Sequence, residues 1–258
     1  MKYEILKDEF IELDGRKLYQ IKALKDFRDV KEGEFGGYIE SERNLSHEGD
    51  AWVSGDARVC GNARVSGNAR VCGNARVSGS ARVCGNARVS GSARVSGNAR
   101  VSGSARVCDN AQVSGDAWVC GNARVCGNAQ VSGDAWVCGN AQVSGDAWVC
   151  GNARVSGSAR VSGSAWVYGN ARVSGSARVL SRHSVVWFSN VGTENGTLTV
   201  YCGKNGLIAT RGCFTGSVEE FLAKSAKVHD EKNKREYELL IEVARSRLGE
   251  AQGNIEDE

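Results

Sequence analysis

Three sets of side chains could carry chemistry in this 258-residue chain: three histidines, ten cysteines and a long series of regularly spaced arginines. Histidine is the natural general base near neutral pH, but His47, His183 and His229 are widely scattered. A zinc-bound hydroxide would need ligands that converge, and this scatter does not predict convergence. His183 is the single histidine worth testing as a base. A boundary residue without chemistry is the preferred reading, so no catalytic residue is assigned. Eight cysteines (Cys60, Cys72, Cys84, Cys108, Cys120, Cys126, Cys138 and Cys150) share one sequence slot with serine. They read as small-residue choices in a reducing compartment. Sorted by 18, Cys108 falls over Cys126 and Cys120 over Cys138. Spacings of 12 or 18 are not a Cys-x-x-Cys pattern, and parallel neighbours face badly for a disulfide. The expectation is therefore no metal, no structural disulfide and no cofactor. The glycines come one per turn rather than ahead of a helix, which argues against a phosphate-binding loop.

These residues sit on a repeat. From Ala51 to Arg182 the chain is 22 uninterrupted copies of Ala-x-Val-x-Gly-x, for example Ala57-Arg58-Val59-Cys60-Gly61-Asn62. Valine holds its slot throughout, whereas glycine gives way at Asp109 and Ser181. Alternation places Ala and Val on one side of a short strand and the residues beside Val on the other. Glycine with Asn, Asp or Ser then turns the chain, because proline is absent. Such self-similarity is the signature of a solenoid.

Written from valine, the unit resembles the hexapeptide repeat of left-handed parallel β-helix proteins. The resemblance implies three hexads per triangular coil, and so about seven coils for the 22 hexads. Hexad phasing does not by itself set handedness, so a right-handed solenoid is the alternative. Many proteins of the resembled class are acyltransferases that use a histidine near a loop thrown out of the prism. This repeat has no such insertion.

A period of three hexads sorts the outward slots into three columns. One holds Trp52, Arg70, Arg88, Arg106 and Arg124; the second Arg58, Arg76 and Arg94, and later Trp148 and Trp166; the third Arg64, Arg82 and Arg100, then Trp118 and Trp136. Rungs lie about 4.8 Å apart, and like charges on adjacent strands repel. The ten arginines are therefore anion-binding candidates. Trp118, Trp136, Trp148 and Trp166 are interface candidates.

The expected fold is mainly β, in three parts. Residues 1–44 form an N-terminal β-hairpin cap, 45–182 the β-helix, and 183–258 a small α+β domain with a β-meander and two helices. Asp14-Gly15 marks the hairpin turn. Ile39 and Leu45 fall in the alanine phase and His47 in the valine phase. Ser217-Val218-Glu219-Glu220 is a capping box. Phe221, Leu222, Ala226 and Val228 are the expected stripe of the first helix. The second is expected from Lys232 to Leu248, with Gly249 as its stop and fraying beyond. The run Arg211-Gly212-Cys213-Phe214-Thr215-Gly216 and its sequel looks like a domain found in phage and prophage proteins, where it follows hexapeptide repeats.

Residues 51–178 carry 14 Arg and 5 Asp, against a chain net charge of +3. No run is apolar enough to span a bilayer, and Met1-Lys2-Tyr3-Glu4 does not open a signal peptide. The expectation is a soluble protein of a bacterial cytoplasm, non-enzymatic, that presents Arg and Trp columns to a host protein, a nucleic acid or a nucleotide-like anion. Assembly into a homotrimer or another homo-oligomer is a further expectation. An acyltransferase and a self-assembling rod are the alternatives.

Overall fold

The computed structural model describes the backbone of residues 1–252 and the side chains of residues 1–249. The chain is mainly β and divides into two compact units, Met1–Asp134 and Ala135–Glu258. Both contain parallel β-solenoid built from two-residue strands. Each strand pairs with the strand three hexads on, Arg88↔Arg106 and Val89↔Val107 for instance. The solenoid expectation therefore holds.

The backbone explains the hexad. In the first unit Arg88 N–H donates to Ala105 O at 2.9 Å, Ser90 N–H to Val107 O at 2.9 Å and Ser92 N–H to Asp109 O at 2.7 Å. Three inter-coil bonds in such a hexad leave few of its backbone groups unpaired. The Ala and Val slots are fully buried. Each Val contributes about 1.5–3 kcal/mol of burial. The glycines of the corners take φ between 58° and 69°, the left-handed region that side chains avoid.

The first unit opens with β1 (Tyr3–Leu13) and β2 (Arg16–Ala23), antiparallel around Asp14 and Gly15, both at positive φ. The hairpin is as expected, and β1 carries an irregularity between Leu6 and Phe10. β3 (Phe35–Ile39) is antiparallel to β2 and parallel to the first Arg-Val strand of that face. It thus converts hairpin into solenoid. Here the phase expectation needs correction. Ile39 pairs with Val59 and Leu45 with Val65, out of step with the regular three-hexad spacing. Both therefore stand in the valine column. The 3-10 turn Glu42–Asn44 lies between them, and the phase is regained by Gly49, which lies over Gly67. His47 leaves the valine column as a result. It stacks on Tyr3, with ring centroids 4.3 Å apart, and its Nδ1 accepts from the Lys2 backbone N–H at 3.2 Å.

Side chains finish the first coil. Lys2 Nζ, buried, donates to Ala51 O at 2.7 Å and Gly49 O at 3.2 Å. Tyr3 Oη donates to Leu45 O at 2.7 Å. Buried Asn44 donates through Nδ2 to Ala63 O at 2.9 Å and Gly61 O at 3.0 Å. These bonds satisfy carbonyls that have no preceding coil.

In the second unit the same task falls to the C-terminal segment. A four-stranded antiparallel sheet (Val185–Val191, Gly196–Gly203, Gly206–Arg211, Phe214–Ser217) follows the 3-10 turn Arg182–Ser184. Thr199 Oγ1 accepts from Arg172 N–H at 3.0 Å, and Thr210 Oγ1 donates to Arg172 O at 2.8 Å. Tyr201 Oη accepts from Ser174 N–H at 3.2 Å and donates to Ser174 O at 3.1 Å. Three side chains thus stand in for the backbone of a missing strand, covering an edge that would otherwise template pairing.

Helix α1 (Val218–Val228) starts on the expected capping box, with Glu220 N–H to Ser217 Oγ at 3.1 Å and Ser217 N–H to Glu220 Oε2 at 2.8 Å. Its buried face is Val218, Phe221 and Ser225. Ala226 and Val228 are exposed instead, because the helical phase set by Val218 and Phe221 turns them outward. Helix α2 (Glu231–Gln252) buries Tyr237, Ile241, Ala244 and Leu248, with Leu240 partly buried beside them. Gly249 does not stop it. No backbone requirement for positive φ arises there, and an interior glycine costs a helix only about 1 kcal/mol. The fraying expected beyond falls, from residue 253 on, outside the described residues. Among the described residues no helix is long and apolar enough to cross a membrane.

Two measurements probe these packing relations. A Cβ at Gly97, at φ +66°, would lie 2.9 Å from both N and O of Gly115. Gly97→Ala is expected to cost about 1–3 kcal/mol in denaturant unfolding, whereas Ser96→Cys, which swaps the two residues of one slot, leaves stability unchanged. Burial lowers the Lys2 ammonium from 10.5 to about 8. The unfolded chain then binds more protons between those values, so the stability that Lys2 contributes rises with pH across them, is lost as pH falls from 10.5 to about 8, and is flat below. The stability difference between wild type and Lys2→Met should shift toward wild type as pH is raised from 7 to 10.

Candidate functional site

The arginine columns come together as the three-hexad period implies. In the first unit Arg58, Arg76 and Arg94 pair in register, as do Arg64, Arg82 and Arg100. Arg70, Arg88, Arg106 and Arg124 form the longest ladder. Arg64, Arg82, Arg88, Arg94, Arg100, Arg106 and Arg124 are exposed; Arg58, Arg70 and Arg76 are partly covered. Among the described residues only one of the ten, Arg70, is ion-paired, with Asp29 of the N-terminal loop. Burial, with Arg28 and Arg88 nearby, lowers the Arg70 pKa. Arg70 is thus already engaged, which leaves Arg88, Arg106 and Arg124 open on that face. Gln112 and Gln130 continue the second ladder without charge.

Trp52 heads the longest column, but the structure buries it. It is 1% exposed, and Phe27 meets it edge-on with centroids 5.4 Å apart. The loop that carries Phe27 and Asp29 folds over this slot, an event the repeat pattern could not foretell. Trp118 is partly buried and its Nε1 donates to Ser102 Oγ at 3.1 Å. Arg100 lies 5.9 Å above its ring.

In the second unit Trp148 and Trp166 pair in register and stack, centroids 5.2 Å apart and planes 11° from parallel. The Arg182 guanidinium sits 3.8 Å from the Trp166 centroid. Tyr168 meets Trp187 edge-on at 4.1 Å. Trp166, Tyr168, Arg182, Trp187 and Arg247 line, with Val185 and Val186, a cleft of about 590 Å³. Trp136 is 39% exposed and packs beneath Arg154, 5.1 Å from its ring centroid. The sequence pointed to Trp148 and Trp166 but not to Tyr168, Arg182, Trp187 or Arg247, which come from the slot after valine, the solenoid's exit and α2. Tyr168 did carry a signal, as the only aromatic in a slot otherwise held by Ser, Cys or Leu.

His183 is exposed in the exit turn, its backbone N–H donating to Ser181 Oγ at 3.2 Å. No nucleophile or carboxylate among the described residues is seen to bond its ring. All ten cysteines are free thiols. Burial and the neighbouring Asp109 carboxylate push the Cys108 thiol up to about 11.

The repeats match a family described as the YdcK Beta solenoid repeat, over residues 51–139 and 147–181 in overlapping segments. No curated protein matches the chain. The matched residues lie in the parallel β-solenoid of the structure.

A guanidinium over an indole contributes about 0.5–1 kcal/mol at an exposed site. A double-mutant cycle between Trp166→Ala and Arg182→Ala, read by thermal unfolding, should return a coupling energy in that range. A coupling near zero would mean that the guanidinium does not rest on the ring in solution.

Proposed function

We propose that this β-solenoid repeat protein is a non-enzymatic binding protein and that its ligand is a nucleic acid. The observation that carries the reading is the state of the ladders. Nine of their ten arginines have no carboxylate partner among the described residues, although they stand one above another on adjacent strands. Each like-charged rung costs a few tenths of a kcal/mol or more, and a polyanion laid along the ladder would offset that cost. The aromatic surface of the second unit narrows the class. Stacked tryptophans and an Arg-lined cleft suit bases, whose planar faces stack on indole, better than a polyanion without rings. The likeness of the C-terminal segment to phage and prophage domains fits a protein that acts on host or phage nucleic acid inside a bacterium. It adds no residue to the site.

Enzyme chemistry has less support, because His183 lies exposed and, among the described residues, no nucleophile or carboxylate is seen to bond its ring. A protein partner seated on Trp136 and Trp148 is the second reading, favoured by their exposure of 39% and 40%.

Neutralising a ladder tests the proposal. Gln occupies the same slot at positions 112 and 130, so Arg88→Gln, Arg106→Gln and Arg124→Gln together are compatible with the fold. Fluorescence anisotropy with a labelled single-stranded oligonucleotide should show binding that weakens with salt. In the triple variant the slope of log K against log salt should fall by about 2, at about 0.7 for each phosphate no longer neutralised. Wild-type binding with an unchanged slope in the variant, or no binding at low salt, would overturn it.

A further inference from the structure

The one hexad corner inside the repeat that abandons glycine does so beside a pair of stacked cysteines. Cys108 and Cys126 occupy the same slot on neighbouring coils, carried there by the in-register pairing Val107↔Val125. Asp109 stands where the repeat has glycine and keeps the corner's backbone, at φ +59°. A left-handed conformation costs an L-residue about 1–2 kcal/mol, though Asp bears it better than most. The carboxylate is turned back toward the cysteines. Its Oδ2 accepts from Gly127 N–H at 3.0 Å and lies 3.7 Å from Cys108 Sγ. The two Sγ atoms and a carboxylate oxygen all lie within 4.8 Å of one another.

We propose that Cys108, Asp109 and Cys126 bind a thiophilic divalent cation of the Zn²⁺ class. Zinc takes thiolate sulfur at about 2.3 Å and carboxylate oxygen at about 2.0–2.2 Å, so ligand atoms no more than 4.8 Å apart need only side-chain rotation to close on one ion. Two sulfurs and one oxygen favour zinc or cadmium over magnesium or calcium, which prefer all-oxygen shells. Three protein ligands leave a fourth position for water. The Gly127 N–H holds the carboxylate in place, as the bonded partners of metal ligands commonly do. Binding exchanges protons for metal: two thiol protons leave to the buffer, two sulfur–metal bonds form, and no electron is transferred. The site departs from the expectation drawn from linear spacing, because the solenoid brings together residues one coil apart that a search along the chain keeps separate.

The repeat supplies its own controls. Cys108→Ser, Cys126→Ser and Asp109→Gly each install the residue that other hexads carry in that slot, so folding is not at issue. Reduced full-length protein would be titrated anaerobically with Co²⁺. The expected result is a thiolate-to-cobalt charge-transfer absorption that saturates at one equivalent and is bleached by Zn²⁺. Asp109→Gly, which keeps both thiols, should weaken the metal at least about 10-fold. The double variant of Cys108 and Cys126 should abolish the band while the other eight cysteines remain. Proton release, followed in weakly buffered solution near pH 8, should reach two per ion in wild type. Absence of the band in wild type, or a band of equal strength in Asp109→Gly or in the double cysteine variant, would overturn the proposal. Since nucleic-acid binding is measured separately, neither reading stands or falls with the other.

Discussion

Everything in the solenoid hangs on a corner in which the backbone turns at positive φ directly above the same corner of the next coil. A Cβ placed on most of these glycines would come within about 3 Å of the backbone of the equivalent glycine one coil on. The corner therefore excludes side chains for two reasons at once, conformation and contact. Its closeness also allows a third inter-coil hydrogen bond in many hexads, as from Ser80 N–H to Gly97 O at 2.8 Å. Strand pairs of two residues would be too short to hold a sheet alone. Repeated bonding at strand and corner alike makes them sufficient, and the Ala-Val interior contributes the burial.

A stack of identical coils has a problem only at its ends, and both ends solve it with side chains. Lys2, Tyr3 and Asn44 reach carbonyls of the first coils; Thr199, Tyr201 and Thr210 hold the N–H and C=O groups of Arg172 and Ser174. The two 3-10 turns, Glu42–Asn44 and Arg182–Ser184, lie where regular phase is entered and left. Each has an oxygen-bearing side chain three residues after a serine cap, so one local device recurs at both boundaries.

How much of this was legible depended on whether a residue answers to the period. Valine and alanine burial, the glycine corners and the in-register arginines follow from three-hexad spacing and were readable directly. Ile39, Leu45 and His47 were misplaced because counting back by six assumes a constant phase, whereas the offset to the next coil is 20 residues at Ile39 and Leu45 and 18 from Gly49 on. Trp52 occupies an outward slot by number but is buried, since an aperiodic loop bearing Phe27 covers it. Ala226 and Val228 are apolar yet exposed, because composition indicates a helix more readily than it indicates which face packs. At the candidate sites, Trp148 and Trp166 were evident from spacing. Arg182 and Trp187 were not, as they belong to the segment where the period has ended. Asp109 was visible as an exception to the repeat, but its meaning required Cys126 to be seen beside it.

The caps bind main-chain atoms, and every hexad offers the same main chain. Thr199 and Thr210 bond the main chain of Arg172, and Tyr201 bonds that of Ser174 together with its Oγ at 3.4 Å, a serine that most hexads share. Recombination between near-identical stretches of the gene could therefore add or remove hexads while each terminal segment still meets a backbone it fits. The outward columns would fare differently. Unless the change were a multiple of three hexads, arginine would come to stand over tryptophan or glutamine and the ladders would dissolve. Fold and surface pattern are thus heritable on different rules: the scaffold tolerates change by the hexad, whereas the pattern survives only change by the whole coil.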